Sequence, residues 1–276
     1  MKNKLLPLLA AAALLMLPAC GNRPLHRAAE DTYYPKAAGS FRIVTYNVGA
    51  FGKYMENSIG MVAAMLKEVG ADVVSLNELD SCNLRHNVNQ AARLADALGD
   101  WNWHFGRAMP YRNGAYGNGV LTPRGVRVLD RYTVPLPQGN GSEPRSIAVV
   151  ETDQYVLGAA HLDFLKEEAT LAQVDAVNAW ARNRYQGYKK PVFFCGDMNA
   201  TPDSAPVVLL KSCWTLLSSA EASIPSNRPR NCIDFIFVFN DAARVTPVGS
   251  RTMTEFRRGD ASRASDHLPV YADIRF

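Results

Sequence analysis

The chain has 276 residues, with 30 Lys and Arg against 26 Asp and Glu, a formal net charge of +4 at pH 7. That length suits one domain with a full hydrophobic core, and so mild a charge excludes the strong basic imbalance by which nucleic-acid binders are usually recognised. Its five cysteines show no CxxC or Cys/His spacing, which argues against a zinc site.

The first element is "MKNKLLPLLAAAALLMLPAC", with Lys2 and Lys4, an apolar run to Leu17, then small residues and Cys20. This is the pattern of a secretory signal, and its apolar run is short for a membrane span. "LPAC" resembles a bacterial lipobox, in which Cys20 becomes the lipidated first residue; an ordinary signal with an incidental cysteine is the alternative. The expected division is therefore 1–19 signal peptide, 20–39 lipidated cysteine and polar tether, and 40–276 a single domain. An exported, lipid-anchored protein of the bacterial cell envelope follows. Removing Lys2 and Lys4 leaves 28 basic against 26 acidic residues. Export permits disulfides; Cys213 and Cys232 are a candidate pair, and Cys195 reads as a small core residue.

From residue 41 onward, short apolar and β-branched runs predict strands over 41–48, 72–79, 116–123, 145–152, 155–162, 191–197, 233–239 and 267–276. Helical period predicts helices over 57–69, 89–98 and 166–185. "WNWHF" (101–105) reads as a packed strand or as an exposed aromatic loop, and "GNGSEP" (139–144) and "SIPSNRPRN" (223–231) as turns or loops. Several strands follow one another with only a turn between them, which requires antiparallel pairing. An α/β protein with two sheets covered by helices results.

The strand ends carry the chemistry. Asn47 closes "FRIVTY", Glu78 closes "VVSLN", His161 and Asp163 close "VLGAA", and Asp197 and Asn199 close "VFFCG". Asp234 opens "DFIFV", and Asp266 and His267 open "LPVYADI". Ends of upward strands and starts of downward ones share one edge of a mixed sheet, where α/β sheets place ligands. Each residue alone is more often a turn former or a satisfied histidine; six strand ends together are not so easily dismissed. Crowded carboxylates require a cation or raised pKa values. Hard oxygen donors without a thiolate cluster suit Mg²⁺, with Mn²⁺ as the second choice. With two histidines beside them, these groups can hydrolyse a phosphoester.

"TYNV", "LNE", "GAAHLD", "GDMNATP", "IDFIFV" and "SDHLPV" occur in an order and spacing that resemble the endonuclease/exonuclease/phosphatase superfamily, over residues 40 to 276. The resemblance implies a DNase I-like four-layer α/β/β/α sandwich. It implies Glu78 as principal metal ligand with Asn47 beside it, and Asp266 as a second metal-side carboxylate. Asp197 would orient or deprotonate the attacking water, Asn199 contact phosphate, and His267 stabilise the phosphoryl group, oriented by Asp234. His161 matches a histidine of the DNase I-like and sphingomyelinase branches, with Glu143 as its candidate partner. Arg145 faces phosphate or makes a structural ion pair, and Asn118 lines the rim or serves as a turn residue. Gly49 stands where apurinic endonucleases carry an aspartate, which argues against abasic-site repair.

The expected activity is Mg²⁺-dependent phosphoester hydrolysis by a monomer, with a phosphodiester as first choice. Exported nuclease, sphingomyelinase-like enzyme and inositol-phosphate phosphatase are the variants, and a non-catalytic ligand-binding lipoprotein is the competing class. Arg257, Arg258 and Arg263 in "FRRGDASR" either approach an anionic substrate or lie in a solvated loop.

Overall fold

A computed structural model describes residues 26–276, and within them the apolar runs pair into two six-stranded sheets. The strands are β1 (Phe41–Asn47), β2 (Val73–Ser81), β3 (Asn102–Tyr111), β4 (Gly114–Thr122), β5 (Val128–Leu136) and β6 (Arg145–Thr152). They continue as β7 (Val156–His161), β8 (Val192–Asp197), β9 (Trp214–Leu216), β10 (Asp234–Phe239), β11 (Thr246–Thr252) and β12 (Val270–Arg275). The helices are α1 (Ile59–Glu68), α2 (Gln90–Leu98), α3 (Glu167–Tyr185), α4 (Ala205–Lys211) and α5 (Ala261–Ala264).

The first sheet runs β11-β12-β1-β2-β4-β3 and the second β5-β6-β7-β8-β10-β9. Each contains one parallel pair, β1 with β2 and β7 with β8, among antiparallel neighbours. The inner faces meet through Ile43, Val73, Val120, Leu157, Phe193 and Ile236, all fully buried. Helices α1 and α2 cover the outer face of the first sheet, where Val44, Val74 and Leu76 meet Val62, Leu66 and Leu94. Helices α3 and α4 cover the second, where Phe194 and Phe235 meet Val174, Val177 and Val207. Central strands buried on both faces read as continuous apolar runs rather than alternating ones. The result is the expected α/β/β/α sandwich with two mixed sheets.

Two expectations are corrected. The segment 21–39, expected as a free tether, is docked from His26 onward. His26 N donates to Asp72 Oδ1 (2.7 Å), Ala29 N donates to Glu68 O (2.7 Å), and the Lys36 ammonium pairs with the Asp72 carboxylate. Tyr34 is buried, and its carbonyl accepts from Arg42 Nη1 (2.8 Å), while Arg42 itself is clamped by Asp273. A buried guanidinium needs such acceptors, and the strap supplies some of them. The four described cysteines are all free thiols, so Cys213 and Cys232 are not bridged. The expected signal peptide and Cys20 lie outside the described residues.

Candidate active site

The rim of the sandwich is assembled from both sheets. Asn47, Glu78, Asp266 and His267 come from the first, at the ends of β1 and β2 and just before β12; His161, Asp197 and Asp234 come from the second. Within the second sheet, Asp197 is in register with His161 on one side and Asp234 on the other.

Asn47 joins the two sets. It is fully buried, and its Nδ2 donates to Asp197 Oδ2 (3.0 Å) and to Glu78 Oε1 (3.2 Å). Its Oδ1 accepts from Gly49 N (3.1 Å), which fixes the amide plane. Glu78 reaches the rim because the β2–β4 pairing shifts register between Leu76 and Leu79, and Glu78 takes a left-handed φ of 58°. A bulge of this kind re-aims a side chain that a regular pleat would send elsewhere. Asn199 also has a left-handed φ, 47°. There its backbone N donates to Asp197 Oδ1 (2.9 Å) and its Nδ2 to Leu162 O (2.9 Å). Strained backbone in two such neighbours is a usual mark of a functional site.

His267 Nδ1 lies 2.9 Å from Asp234 Oδ2, which also accepts from Ser223 Oγ (2.6 Å). His267 Nε2 and His161 Nε2 lie 3.5 and 3.4 Å from Asp197 Oδ2. Burial raises the Asp197 carboxyl to about 7, with Asp234 pushing the same way. Burial would lower His267, but Asp234 and Asp197 carry it up to about 10, so the ring is an imidazolium at neutral pH. Burial, Arg145 and His267 together hold His161 well below the ordinary histidine value, so that ring is neutral.

The donor set fits a hard cation. Asp197, Asp234 and His267 are buried and offer ligand atoms within 4.8 Å of one another. Asp234 Oδ1 has no hydrogen-bond partner among the described residues. On the other side of Asn47, Asp266 Oδ2 pairs with the Lys53 ammonium (3.0 Å), which Glu78 also stabilises. Glu78 and Asp266 thus add two further carboxylates to the same rim, one donated to by Asn47 and one paired with Lys53.

Of the supporting residues, Glu143 and Asn118 take other roles than expected, while Arg145 and Asp163 keep structural ones. Glu143 does not pair with His161: its Oε1 lies 3.2 Å from Arg145 Nη2, and His161 Nδ1 has no partner among the described residues. Arg145, two residues along and buried, takes the carboxylate first. Arg145 therefore makes the ion pair, one of its two expected roles. Asn118 is buried below the rim, donating to Ser146 O (2.9 Å) and accepting from Asn77. Asp163 braces loops, accepting from Ser142 N and Oγ (2.6 Å each) and from Leu165 N and Lys166 N. In "FRRGDASR", the Arg257 and Arg258 amides donate to buried Glu68 and the Arg257 guanidinium stacks on Tyr33, away from the rim.

The residue the sequence did not single out is Asn77. Its Oδ1 accepts from Asp197 N (3.0 Å), and its Nδ2 donates to Ala160 O (2.8 Å) and Asn118 Oδ1 (2.9 Å), stitching one sheet to the other beneath the site. Only its place beside Glu78 in "LNE" hinted at it.

A family model described as the Endonuclease/Exonuclease/phosphatase family matches residues 44–267. Among solved structures, a mannosyl-6-phosphatase of Bacteroides thetaiotaomicron VPI-5482 has a TM-score of 0.70 at 15% identity, covering 86% of this chain and 100% of that one. An endonuclease/exonuclease/phosphatase of Beutenbergia cavernae has a TM-score of 0.67 at 20% identity, covering 86% and 72%. D. rerio TDP2 complexed with single strand DNA product has a TM-score of 0.65 at 19% identity, covering 86% and 99%. At such identities the likeness carries the fold. No curated protein sequence matches the chain.

Proposed function

We propose, from the premise that this chain belongs to the endonuclease/exonuclease/phosphatase family, that it hydrolyses phosphoester bonds with Mg²⁺ as cofactor, a phosphodiester being the preferred substrate. The observation that carries this reading is the convergence of Asn47, Glu78, Asp197 and His267 on one rim. Asp197, more basic than an ordinary carboxylate, is suited to orient and deprotonate a water for in-line attack near neutral pH. The imidazolium of His267, fixed through Asp234, faces the charge that grows on the phosphoryl oxygens. His161, neutral, supplies a second ring nitrogen beside Asp197, and Asn199 holds the Asp197 carboxylate through its backbone amide. Glu78 and Asp266 would hold the Mg²⁺, with Mn²⁺ as a substitute, and that ion would offset phosphate charge as a Lewis acid.

Of the cations here, Arg145 is engaged by Glu143 and Lys53 by Asp266, which leaves the His267 imidazolium to face phosphate. One such charge plus a metal suits a singly charged diester better than a monoester dianion. The solved neighbours include a mannosyl-6-phosphatase and a TDP2 bound to single strand DNA product, so both classes belong in the test. We place the enzyme outside the cytoplasm, held by a lipid on Cys20, as a monomer.

The test is a hydrolysis panel with Mg²⁺ or with chelator, using duplex DNA, single-stranded RNA, sphingomyelin, inositol polyphosphates, a sugar 6-phosphate and an aryl phosphodiester. The expected outcome is chelator-sensitive turnover of at least one substrate, reduced at least about 10³-fold in Asp197→Ala and in His267→Ala. Turnover that survives chelation removes the metal, and turnover that survives both substitutions removes the mechanism.

A further inference from the structure

The docked strap gives the domain a fixed polarity with respect to its own N-terminus. His26 is held at Asp72, the residue that precedes β2, and Glu78 stands six residues further along the chain from Asp72. At about 3.3 Å per residue that is a separation of about 20 Å, nearly the full height of the sheet. Several contacts hold the strap at this lower edge. The Lys36 ammonium donates to His26 O (2.8 Å) and Gly70 O (3.0 Å), and the His26 ring packs on Trp101 with centroids 5.2 Å apart. Backbone of residues 26–28 lies so close over Gly70 that a Cβ there would sit 2.4 Å from Ala28 N. The chain therefore enters the domain at the end opposite the catalytic rim.

We propose that the lower edge faces the bilayer that anchors the protein, and that the catalytic rim faces away from it, so that the enzyme takes water-borne phosphoesters rather than the headgroups of its own membrane. This rests on the lipid at Cys20 and on the phosphoesterase reading above. Cys20 and His26 are six residues apart, a reach of about 20 Å at full extension. Only a fully stretched run laid up the side of the domain would bring the lipid level with the rim. Charge agrees with this orientation. Turns at the lower edge expose Arg27, Arg127, Lys189, Arg244 and Arg275 against Glu30, Asp31, Asp153 and Asp241, while Arg124 and Asp100 pair with each other. An excess of base on that face is attracted to anionic lipid headgroups.

The chain carries its own reporter for a test. Cys82 is exposed one residue past the end of β2, on the rim side, while Cys195, Cys213 and Cys232 are buried. Full-length lipidated protein is placed in phosphatidylethanolamine/phosphatidylglycerol vesicles containing an acceptor-labelled lipid. A donor dye is attached either to Cys82 or, with Cys82→Ser, to Ala38→Cys at the exposed lower edge. Energy transfer to the bilayer is expected to be at least twofold greater from position 38 than from position 82. Equal transfer, or greater transfer from position 82, overturns the orientation. Wild-type protein that fails to stay on vesicles when Cys20→Ala fails equally overturns the anchor on which it depends. Because the readout needs no turnover, it is independent of whether the hydrolysis panel succeeds. In that panel, a phosphodiester in solution should be cleaved while lipid phosphoesters of the carrying vesicle persist.

Discussion

Asp234 sets the charge of His267, and so links folding to pH. Its carboxylate is buried against His267 Nδ1 and braced by Ser223. The His267 pKa rises from 6.5 to about 10 on folding. A group with a raised folded pKa stabilises the native state fully below its unfolded value, and that contribution is lost as pH rises through the folded one. The melting temperature of metal-free protein should therefore fall between pH 7 and pH 10. Asp234→Asn should make that fall markedly shallower; melting curves at a series of pH values in chelator check this, and parallel pH profiles would refute it. At this scale much of the site was legible in the sequence. Asn47, Glu78, Asp197, Asn199, Asp234, Asp266 and His267 stand out because each interrupts or borders an apolar run. Asn77 did not, since its importance lies in reaching Ala160 and Asp197 of the other sheet, distances that no one-dimensional pattern carries. The pairing of Glu143 with His161 failed for a related reason: a resemblance can suggest a partner, but not that buried Arg145 would compete for it.

Elements divide cleanly into those the sequence shows and those it does not. The eight strands predicted from apolar runs all form, with ends shifted by no more than three residues. The other four, β3, β5, β9 and β11, are the four edges of the two sheets. β11 is exposed at most positions and β5 at alternate ones, so neither needed an apolar run. β3 showed only as the alternating aromatics of "WNWHF". Edge strands pair on one side and face solvent more, and their composition follows. Among central strands, β8 has the least tolerance at its upper end. Gly196 has φ +140°, and a Cβ there would lie 1.9 Å from Ala160 O on β7 and 3.1 Å from Asn77 Oδ1. Gly196→Ala should cost about 3 kcal/mol or more through overpacking and backbone strain. Urea unfolding would show it as a lower midpoint, and an unchanged midpoint would refute the close approach.

Across the whole molecule, the sandwich is sealed below and polar above. Phe41, Tyr155, Phe193 and Phe276 form a chain of ring contacts toward the lower edge, while the rim is held by the amides of Asn47 and Asn77. Half of the reacting groups ride on one sheet and half on the other. The site is thus a gauge of interlayer spacing: a gap widened by an ångström leaves each sheet intact but separates acid from imidazole. Such misplacement can cost about 10²-fold in rate. Warming should therefore silence the enzyme several degrees before circular dichroism records any loss of strand, and coincident loss of the two signals would contradict it. The proposed hydrolysis would depend on registry between two sheets, and heat is expected to spoil the alignment before it melts the parts.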